Sequence, residues 1–262
     1  MIGSFRLGSF SVVLLWVCAS ALPFAMQSTG DDTLIRLLSM GTPEERMSAV
    51  KTIRSIAPTA RSVELKSALM AELDRLAAEL QARRLELRTG QPIRPWGSSD
   101  YLFSLIDIVG EEASDPSVVP ALLPFVNTGA RASDAIAGFG EYAVGGVTAI
   151  AGGSSGATDS QVSSALFTLK RMLNRPLTYA LSDGSRRLIV EVARQRLYGT
   201  QKPVVVGRAI ELAVATGDSQ LIAGVRELAG DPEALEDMGI VDPSMLEYVQ
   251  RRAVAELGAT AR

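Results

Sequence analysis

The chain has 262 residues, of which 47% are hydrophobic, and it has a net charge of −3, a single cysteine and no histidine. The hydrophobic fraction indicates a folded chain rather than a disordered one. The lack of histidine excludes a Ser-His catalytic triad and removes the commonest zinc and copper ligand. We therefore expect no cofactor and no transition-metal site, and we predict that the protein is not an enzyme.

The N-terminal segment, MIGSFRLGSFSVVLLWVCASA at residues 1–21, has the pattern of a secretory signal peptide. Arg6 precedes an apolar run that ends at Val17, and Ala19-Ser20-Ala21 offers the small residues of a cleavage site. We expect export, with the Gram-negative periplasm as the predicted location. An uncleaved leader would instead make the protein a membrane-anchored structural protein.

Residues 33–56 predict two short antiparallel helices. Gly41 is expected to end the first helix in the left-handed conformation. Thr42 then caps the second helix, Pro43 suits its first position, and Glu45 completes a capping box. Two helices this short cannot bury their apolar faces alone, so they need neighbours of the same kind, as in a solenoid.

The segment LLSMGTPEERMSAVKTIRSI, at residues 37–56, resembles a HEAT repeat, whose second helix opens with a Pro-acid-x-Arg start. Pro43, Glu44 and Arg46 occupy those positions here. The resemblance also covers 115–175 and 244–258 and implies an all-α superhelix, a HEAT-like solenoid, over residues 30–258 as a single domain. Proteins of this family mostly bind partners or act as scaffolds, and their functions vary widely.

A long amphipathic helix is predicted at residues 61–88, with a leucine stripe at Leu69, Leu73, Leu76 and Leu80. The stripe predicts either packing within the chain or a coiled-coil dimer seam. A Pro/Gly loop at 89–99 follows, and its Trp96 is either a binding anchor or packed on the adjacent helices.

The rest of the chain reads as further short helices without strand alternation. We predict helices at 100–112, 118–126, 133–140, 143–151, 159–173, 185–198, 203–215, 219–229 and 244–257.

The stretch from Gly138 to Ala143 fits the dinucleotide fingerprint G-x-G-x-x-A, but no strand precedes it, so we do not expect a cofactor there. We interpret these glycines, with Gly145 and Gly146, as sites of close helix approach. The apolar stretch at 135–153 gives only a weak membrane-span pattern.

The formal charge is strongly divided between neighbouring segments. Residues 170–208 have a net charge of +7, and residues 209–248 have a net charge of −8. One interpretation is a basic surface that binds an anionic partner. The other is that stacked neighbouring helices neutralise each other.

We predict a non-catalytic protein-binding scaffold of the cell envelope that recognises a partner through a face built from successive second helices, with an anionic partner as one alternative. The candidate contacts are Trp96, Arg186, Arg187 and Arg194. Nucleic acid is not an expected partner of an exported acidic protein. The rival hypothesis is an envelope enzyme or enzyme subunit that uses Asp, Glu, Lys or Ser chemistry in a pocket.

Overall fold

The computed structural model describes residues 30–89, 99–112, 115–153, 156–198, 202–240 and 242–260. The predicted leader at 1–21 and Trp96, with most of its loop, lie outside these described residues. Every regular element within the described ranges is helical. The chain divides into two compact units, one that ends at Glu72 and one that begins at Leu73.

The smaller unit contains helix α1 over residues 30–40, α2 (Pro43–Arg54), a 3-10 turn (Pro58–Ala60) and the start of α3 (Val63–Thr89). The predicted capping box is confirmed: the Thr42 N–H donates to Glu45 Oε2 at 2.8 Å, and the Glu45 N–H donates to Thr42 Oγ1 at 3.3 Å. The buried apolar side chains of the smaller unit are Leu34, Leu38, Ala49, Val50, Ile53, Leu65 and Leu69.

Gly41 ends α1, but the predicted left-handed backbone is wrong, because Gly41 does not have a positive φ. The reason for glycine at this turn is space. A Cβ at Gly41 would lie 2.5 Å from the Leu37 carbonyl oxygen and 3.1 Å from the Glu45 Cβ. The two helices therefore approach too closely at the turn for any side chain there.

Helix α3 is 27 residues long and corresponds to the predicted long helix. Three leucines of its stripe, Leu69, Leu73 and Leu76, are buried within the single chain. This burial favours the packing prediction over the dimer seam, because a seam would need those side chains exposed on the free chain.

The larger unit continues with ten helices among its described residues. They are α4 (Ser99–Gly110), α5 (Val119–Leu122), α6 (Ala130–Gly138), α7 (Glu141–Ala151), α8 (Asp159–Asn174), α9 (Asp183–Tyr198), α10 (Pro203–Thr216), α11 (Ser219–Gly230), α12 (Pro232–Asp237) and α13 (Pro243–Thr260).

These helices form two layers. In one layer α4 packs on α6, α6 on α8, α8 on α10 and α10 on α13. In the other α5 packs on α7 and α7 on α9, while α11 packs on α10 and α13 of the layer that contains α4. Because each helix packs against its neighbours in chain order, the predicted all-α superhelix is confirmed. We call α5, α7, α9 and α11 the first helices and their layer the first layer. We call α6, α8, α10 and α13 the second helices, which form the second layer together with α4.

Helix α10 is the centre of the C-terminal half of this unit. It packs against α8, α9, α11 and α13, and nine of its residues between Val205 and Val214 are buried. Its apolar sequence, PVVVGRAIELAVAT, matches this position because a helix surrounded by others has almost no solvent face.

One predicted helix departs from the prediction for a clear local reason. The predicted helix at 118–126 is interrupted: α5 has four residues, with a 3-10 turn on either side. Pro124 lacks the N–H group that would bond to the Pro120 carbonyl in a continuous helix, whereas Pro120 lies in the first turn, where no such bond is needed.

The short helix α12 begins at the Asp231-Pro232 pair, a pattern that predicts a helix start. Asp231 caps the helix, and Pro232 is its first residue.

The interpretation of the glycines as sites of close helix approach fits Gly146, where a Cβ would overlap a methyl group of Leu123 in the 3-10 turn after α5. A Cβ at Gly140 would overlap the Tyr179 carbonyl oxygen, which belongs to the connection between α8 and α9 and not to a helix. Gly138 and Gly145 have nothing within 4 Å of such a Cβ. None of the described helices combines the length and the apolar character needed to cross a bilayer.

Candidate functional site

A series of ion pairs connects consecutive helices of the layer that contains α4 and the second helices. Arg131 of α6 lies 3.2 Å from Asp107 of α4. Asp134 of α6 pairs with Arg171 of α8 and with Arg175, the residue that directly follows α8. One carboxylate therefore holds two arginines at the C-terminal end of the next helix.

The series continues through a buried glutamate of α10. The Glu211 side chain is only 3% exposed. Its carboxylate lies 3.2 Å from Lys170 of α8 and 2.8 Å from Arg208 of its own helix. Arg252 of α13 also pairs with it. Lys170 lies 3.1 Å from Glu256 of α13 as well. We call this whole series, from Asp107 to Glu256, the ion-pair ladder.

The charges of the ladder shift the pKa of its central groups. Burial alone would raise the pKa of Glu211, but the hydrogen bond from Arg252 and the charges of Arg208 and Lys170 outweigh it and lower that pKa. Burial alone would lower the pKa of Arg252, and the hydrogen bond to Glu211 raises it instead. Both groups are therefore held in their charged forms.

An aromatic ring reinforces the ladder between α8 and α10. The guanidinium carbons of Arg171 and Arg208 lie 4.6 Å and 4.8 Å from the centre of the Phe167 ring. A cation at this distance is attracted by the ring quadrupole. Both arginines are thus fixed by a carboxylate and by the same ring.

The ladder accounts for part of the basic segment at 170–208. Lys170, Arg171, Arg175 and Arg208 are neutralised by carboxylates of α6, α10 and α13. For Lys170, Arg171 and Arg175 the ion pairs favour neutralisation by stacked neighbours over a free basic surface, and Arg208 is neutralised within its own helix.

The candidate arginines at 186, 187 and 194 lie on α9, which is a first helix. The sequence predicts a binding face built from second helices, and it also predicts these arginines as contacts on that face. Because the arginines lie on a first helix, the predicted face and the predicted contacts belong to opposite layers. On α9 the spacing i, i+7, i+11 places Arg187, Arg194 and Tyr198 along one side. The buried side carries Ser185, Ile189, Val192, Ala193 and Leu197.

Arg186 and Arg187 are both exposed, and neither side chain has an ion-pair partner among the described residues. Consecutive helical residues point about 100° apart, so Arg187 lies on the outer side and Arg186 at its edge. Together they place two unneutralised positive charges at the N-terminal half of α9.

Arg194 has a different environment. Its Nη1 lies 3.1 Å from Glu191 Oε2, and its Nη2 donates to Gln220 Oε1 of α11 at 3.5 Å. Arg194 therefore links α9 to α11 and is already charge-compensated, which makes it a positioning residue for this side of the layer.

Tyr198 strengthens the same junction. Its hydroxyl lies where a Cβ on Gly224 of α11 would stand, so the ring covers α11 at a position where only glycine leaves room. Burial raises the pKa of Tyr198, the charge of Glu227 raises it further, and Arg194 lowers it. The phenol is thus neutral and half exposed at the α9–α11 junction.

Large side chains are exposed on the same layer. Tyr142 of α7 is 55% exposed, Leu188 is 52% exposed and Tyr198 is 50% exposed. The Tyr142 ring packs edge-on against Tyr179, with ring centres 4.6 Å apart. We define the first-helix face as Tyr142, Arg186, Arg187, Leu188, Arg194 and Tyr198.

A carboxylate fixes the register between α7 and α9 on this face. Glu141 Oε2 accepts the Ser182 N–H at 2.8 Å, and Glu141 Oε1 accepts the Ser182 hydroxyl at 2.9 Å. These bonds lower the pKa of Glu141. The N-terminal ends of α7 and α9 therefore lie side by side, which brings Tyr142 to the arginine end of α9.

Sequence reasoning missed Tyr142, Leu188 and Tyr198. The helical spacing of α9 already places Tyr198 on the same side as Arg187, so that signal was present. Tyr142 joins the face only because α7 packs on α9, which no local pattern records.

An open cavity of about 520 Å³ lies beside α13. Its described lining residues are Val254, Ala255, Gly258 and Ala259, which carry no ionisable side chain. Within the described ranges, no cluster of Cys, Asp or Glu has the arrangement of a metal site.

No protein-family model matches the chain, and no curated protein is similar enough to count as a relative. A crystal structure of an engineered protein aligns at 18% identity over 87% of this chain and 96% of its own, with a TM-score of 0.36. A similarity of that size supports no inference about fold or function.

Proposed function

We propose that this protein is a non-catalytic binding protein that recognises an acidic protein partner through the first-helix face. The observation behind the proposal is the pair of exposed arginines on α9, beside exposed Leu188. Nearby arginines of the second layer are neutralised within the fold, whereas Arg186 and Arg187 are not, within the described residues.

The composition of this face fits a protein interface. Tyr and Arg are enriched among residues that contribute most to binding, and Tyr142, Tyr198 and Arg187 are all exposed here. A guanidinium binds carboxylates through two parallel hydrogen bonds, so an acidic partner satisfies Arg186 and Arg187 best. Arg194 is held by Glu191 and Gln220 and contributes by fixing α9 against α11.

The wider setting of the proposal comes from the sequence. The paired helices and the Pro-acid-x-Arg start at Pro43 support membership of the HEAT-like group of partner-binding scaffolds. The predicted leader at 1–21 supports a role in the bacterial cell envelope.

A photocrosslinking amino acid at position 188 of the full-length chain tests the proposed face. We expect crosslinks to a protein whose captured peptide, identified by mass spectrometry, is rich in Asp and Glu. The double substitution Arg186→Glu/Arg187→Glu should abolish that crosslink, since like charges across an interface oppose binding.

Arg36→Glu/Lys51→Glu is the matched control. Both residues are exposed on the smaller unit, and the double substitution changes the net charge by the same amount. A crosslink that survives reversal at 186 and 187, or a captured peptide without acidic residues, would show that the acidic-partner proposal is wrong.

A further inference from the structure

A long acidic segment follows the first-helix face along the chain. From residue 227 to residue 247 there are seven acidic and no basic residues. All seven are exposed, and neither Glu233 nor Glu236 has an ion-pair partner among the described residues. The segment includes the end of α11 and all of α12.

Helices α9 and α11 run in the same direction where they meet, because Arg194 hydrogen-bonds to Gln220 and Tyr198, one turn later, covers Gly224, one turn after Gln220. This shared direction defines one surface that runs along α9 and then along α11. Arg186 and Arg187 lie at the N-terminal end of α9, and Tyr198 lies at its C-terminal end, about 16 Å further along the helix axis. Tyr198 covers Gly224 of α11, and the acidic segment begins three residues beyond that glycine. The order along the surface is therefore basic end, aromatic centre, acidic end.

A surface with this order is complementary to itself after a rotation of 180°. In a two-fold interface residue i of one copy contacts residue j of the other, and j contacts i. Rotation about an axis near Tyr198 places the basic end of each copy on the acidic end of the other. Tyr198 and its symmetry mate then meet at the centre, where aromatic side chains contribute most to binding.

We infer that the acidic partner of the first-helix face is a second copy of this chain, bound as a two-fold dimer. This inference rests on the proposed function, because it uses the same arginines. A stable two-fold interface buries at least about 1,200 Å² in total, so each copy has to contribute about 600 Å² from this surface.

Charge-swap variants of the full-length chain test the dimer by light scattering during size-exclusion chromatography. The basic-end variant is Arg186→Glu/Arg187→Glu, and the acidic-end variant is Glu233→Lys/Glu236→Lys. We expect a wild-type dimer at low salt and at least about a tenfold weaker association in each variant alone, because each then places like charges together.

An equal mixture of the two variants is the decisive sample. One variant is acidic at both ends and the other is basic at both ends, so a two-fold heterodimer restores both contacts. We expect the mixture to dimerise, which also shows that both variants are folded. The control Arg36→Glu/Lys51→Glu should dimerise like the wild type.

Three results would overturn the dimer: a monomeric wild type, a dimer that both variants retain, or a mixture that stays monomeric. If the wild type is monomeric and the position 188 crosslink still captures a different acidic protein, the dimer is wrong and the proposed function stands. If the dimer fails and reversal at 186 and 187 also leaves the crosslink unchanged, both are wrong.

Discussion

The ion-pair ladder and the first-helix face use the same residue type in opposite ways. Arg171 and Arg252 of the ladder are held by carboxylates from adjoining helices, and Arg208 is held by Glu211 of its own helix. The Phe167 ring also holds Arg171 and Arg208. Arg186 and Arg187 are exposed without such partners in the described residues. A formal charge of +7 over one segment therefore says little about binding until each arginine is matched with its neighbours.

The largest expected effect is on the ladder. Glu211→Ala leaves Lys170, Arg208 and Arg252 close together without their shared carboxylate. Removing one partner of a buried ion pair costs about 3–5 kcal/mol, so we expect a loss of this size in the free energy of unfolding. Urea unfolding followed by circular dichroism measures it.

The matching change on the other face is Glu191→Gln, which removes the exposed partner of Arg194. We expect a change of less than about 0.5 kcal/mol, because exposed ion pairs contribute little. If Glu211→Ala and Glu191→Gln lower the free energy of unfolding equally, the ion pairs of the ladder are no more stabilising than the exposed pair on the first-helix face.

A backbone substitution in the first layer should have the next largest effect. Gly140 has a φ of +49°, and a Cβ there would overlap the Tyr179 carbonyl oxygen. We expect Gly140→Ala to cost about 2–3 kcal/mol, since both the backbone strain and the overlap oppose it. Thermal and urea unfolding give the value.

Gly145→Ala in the same helix is the control for Gly140. Nothing lies within 4 Å of a Cβ at Gly145, so alanine should stabilise α7 by about 0.5–1 kcal/mol. If alanine lowers the free energy of unfolding at both positions, the steric explanation for Gly140 is wrong.

Acid should weaken both faces through carboxylates whose pKa is lowered. Glu211 and Glu141 have lower pKa values in the folded protein than their ordinary value of 4.5. Below pH 4.5 the unfolded chain therefore binds more protons, and stability falls as the pH drops through the folded pKa values. Unfolding measured between pH 6 and pH 3 should show this loss.

Glu141→Gln should make that pH dependence shallower, because its stabilising contribution is then absent at every pH. An unchanged slope would mean that the Glu141–Ser182 hydrogen bonds do not stabilise the α7–α9 junction in solution.

Substitution of the proposed contact residues should have the smallest effect on stability. Arg187→Ala should change the free energy of unfolding by less than about 0.5 kcal/mol, since Arg187 is exposed and makes no ion pair within the described residues. Its effect should appear in crosslinking and dimerisation instead. A large loss of stability would place Arg187 among the structural arginines.

Helix positions were predictable because the signals are local. The capping box of Thr42 and Glu45 and the proline at 43 define the start of α2, and the apolar spacing of α8 defines its buried side. The interruption after α5 also had a local signal in Pro124, which outweighs the apolar run around it because it lacks the N–H that a continuous helix needs there.

The sites were less predictable because they depend on which helices meet. Glu211 is separated from Lys170 by 41 positions, so no spacing rule links the two charges. Arg194 links two helices only because Gln220 of α11 lies next to it. Glycine is needed at position 41 partly because Glu45 lies close to that turn. The sequence indicated that carboxylates of neighbouring helices could neutralise the basic segment. The contacts in the structure show which of its arginines are paired in this way.

Helix α10 has a consequence for how the larger unit unfolds. In most helical arrays each element touches only the next, so one end can melt while the other stays folded. Here α8, α9, α11 and α13 all pack on one buried helix, α10, and Glu211 of α10 joins two of them, α8 and α13, to it by charge. The C-terminal half should therefore open as one cooperative block, and the amide hydrogens of α10 should be its last to exchange with solvent.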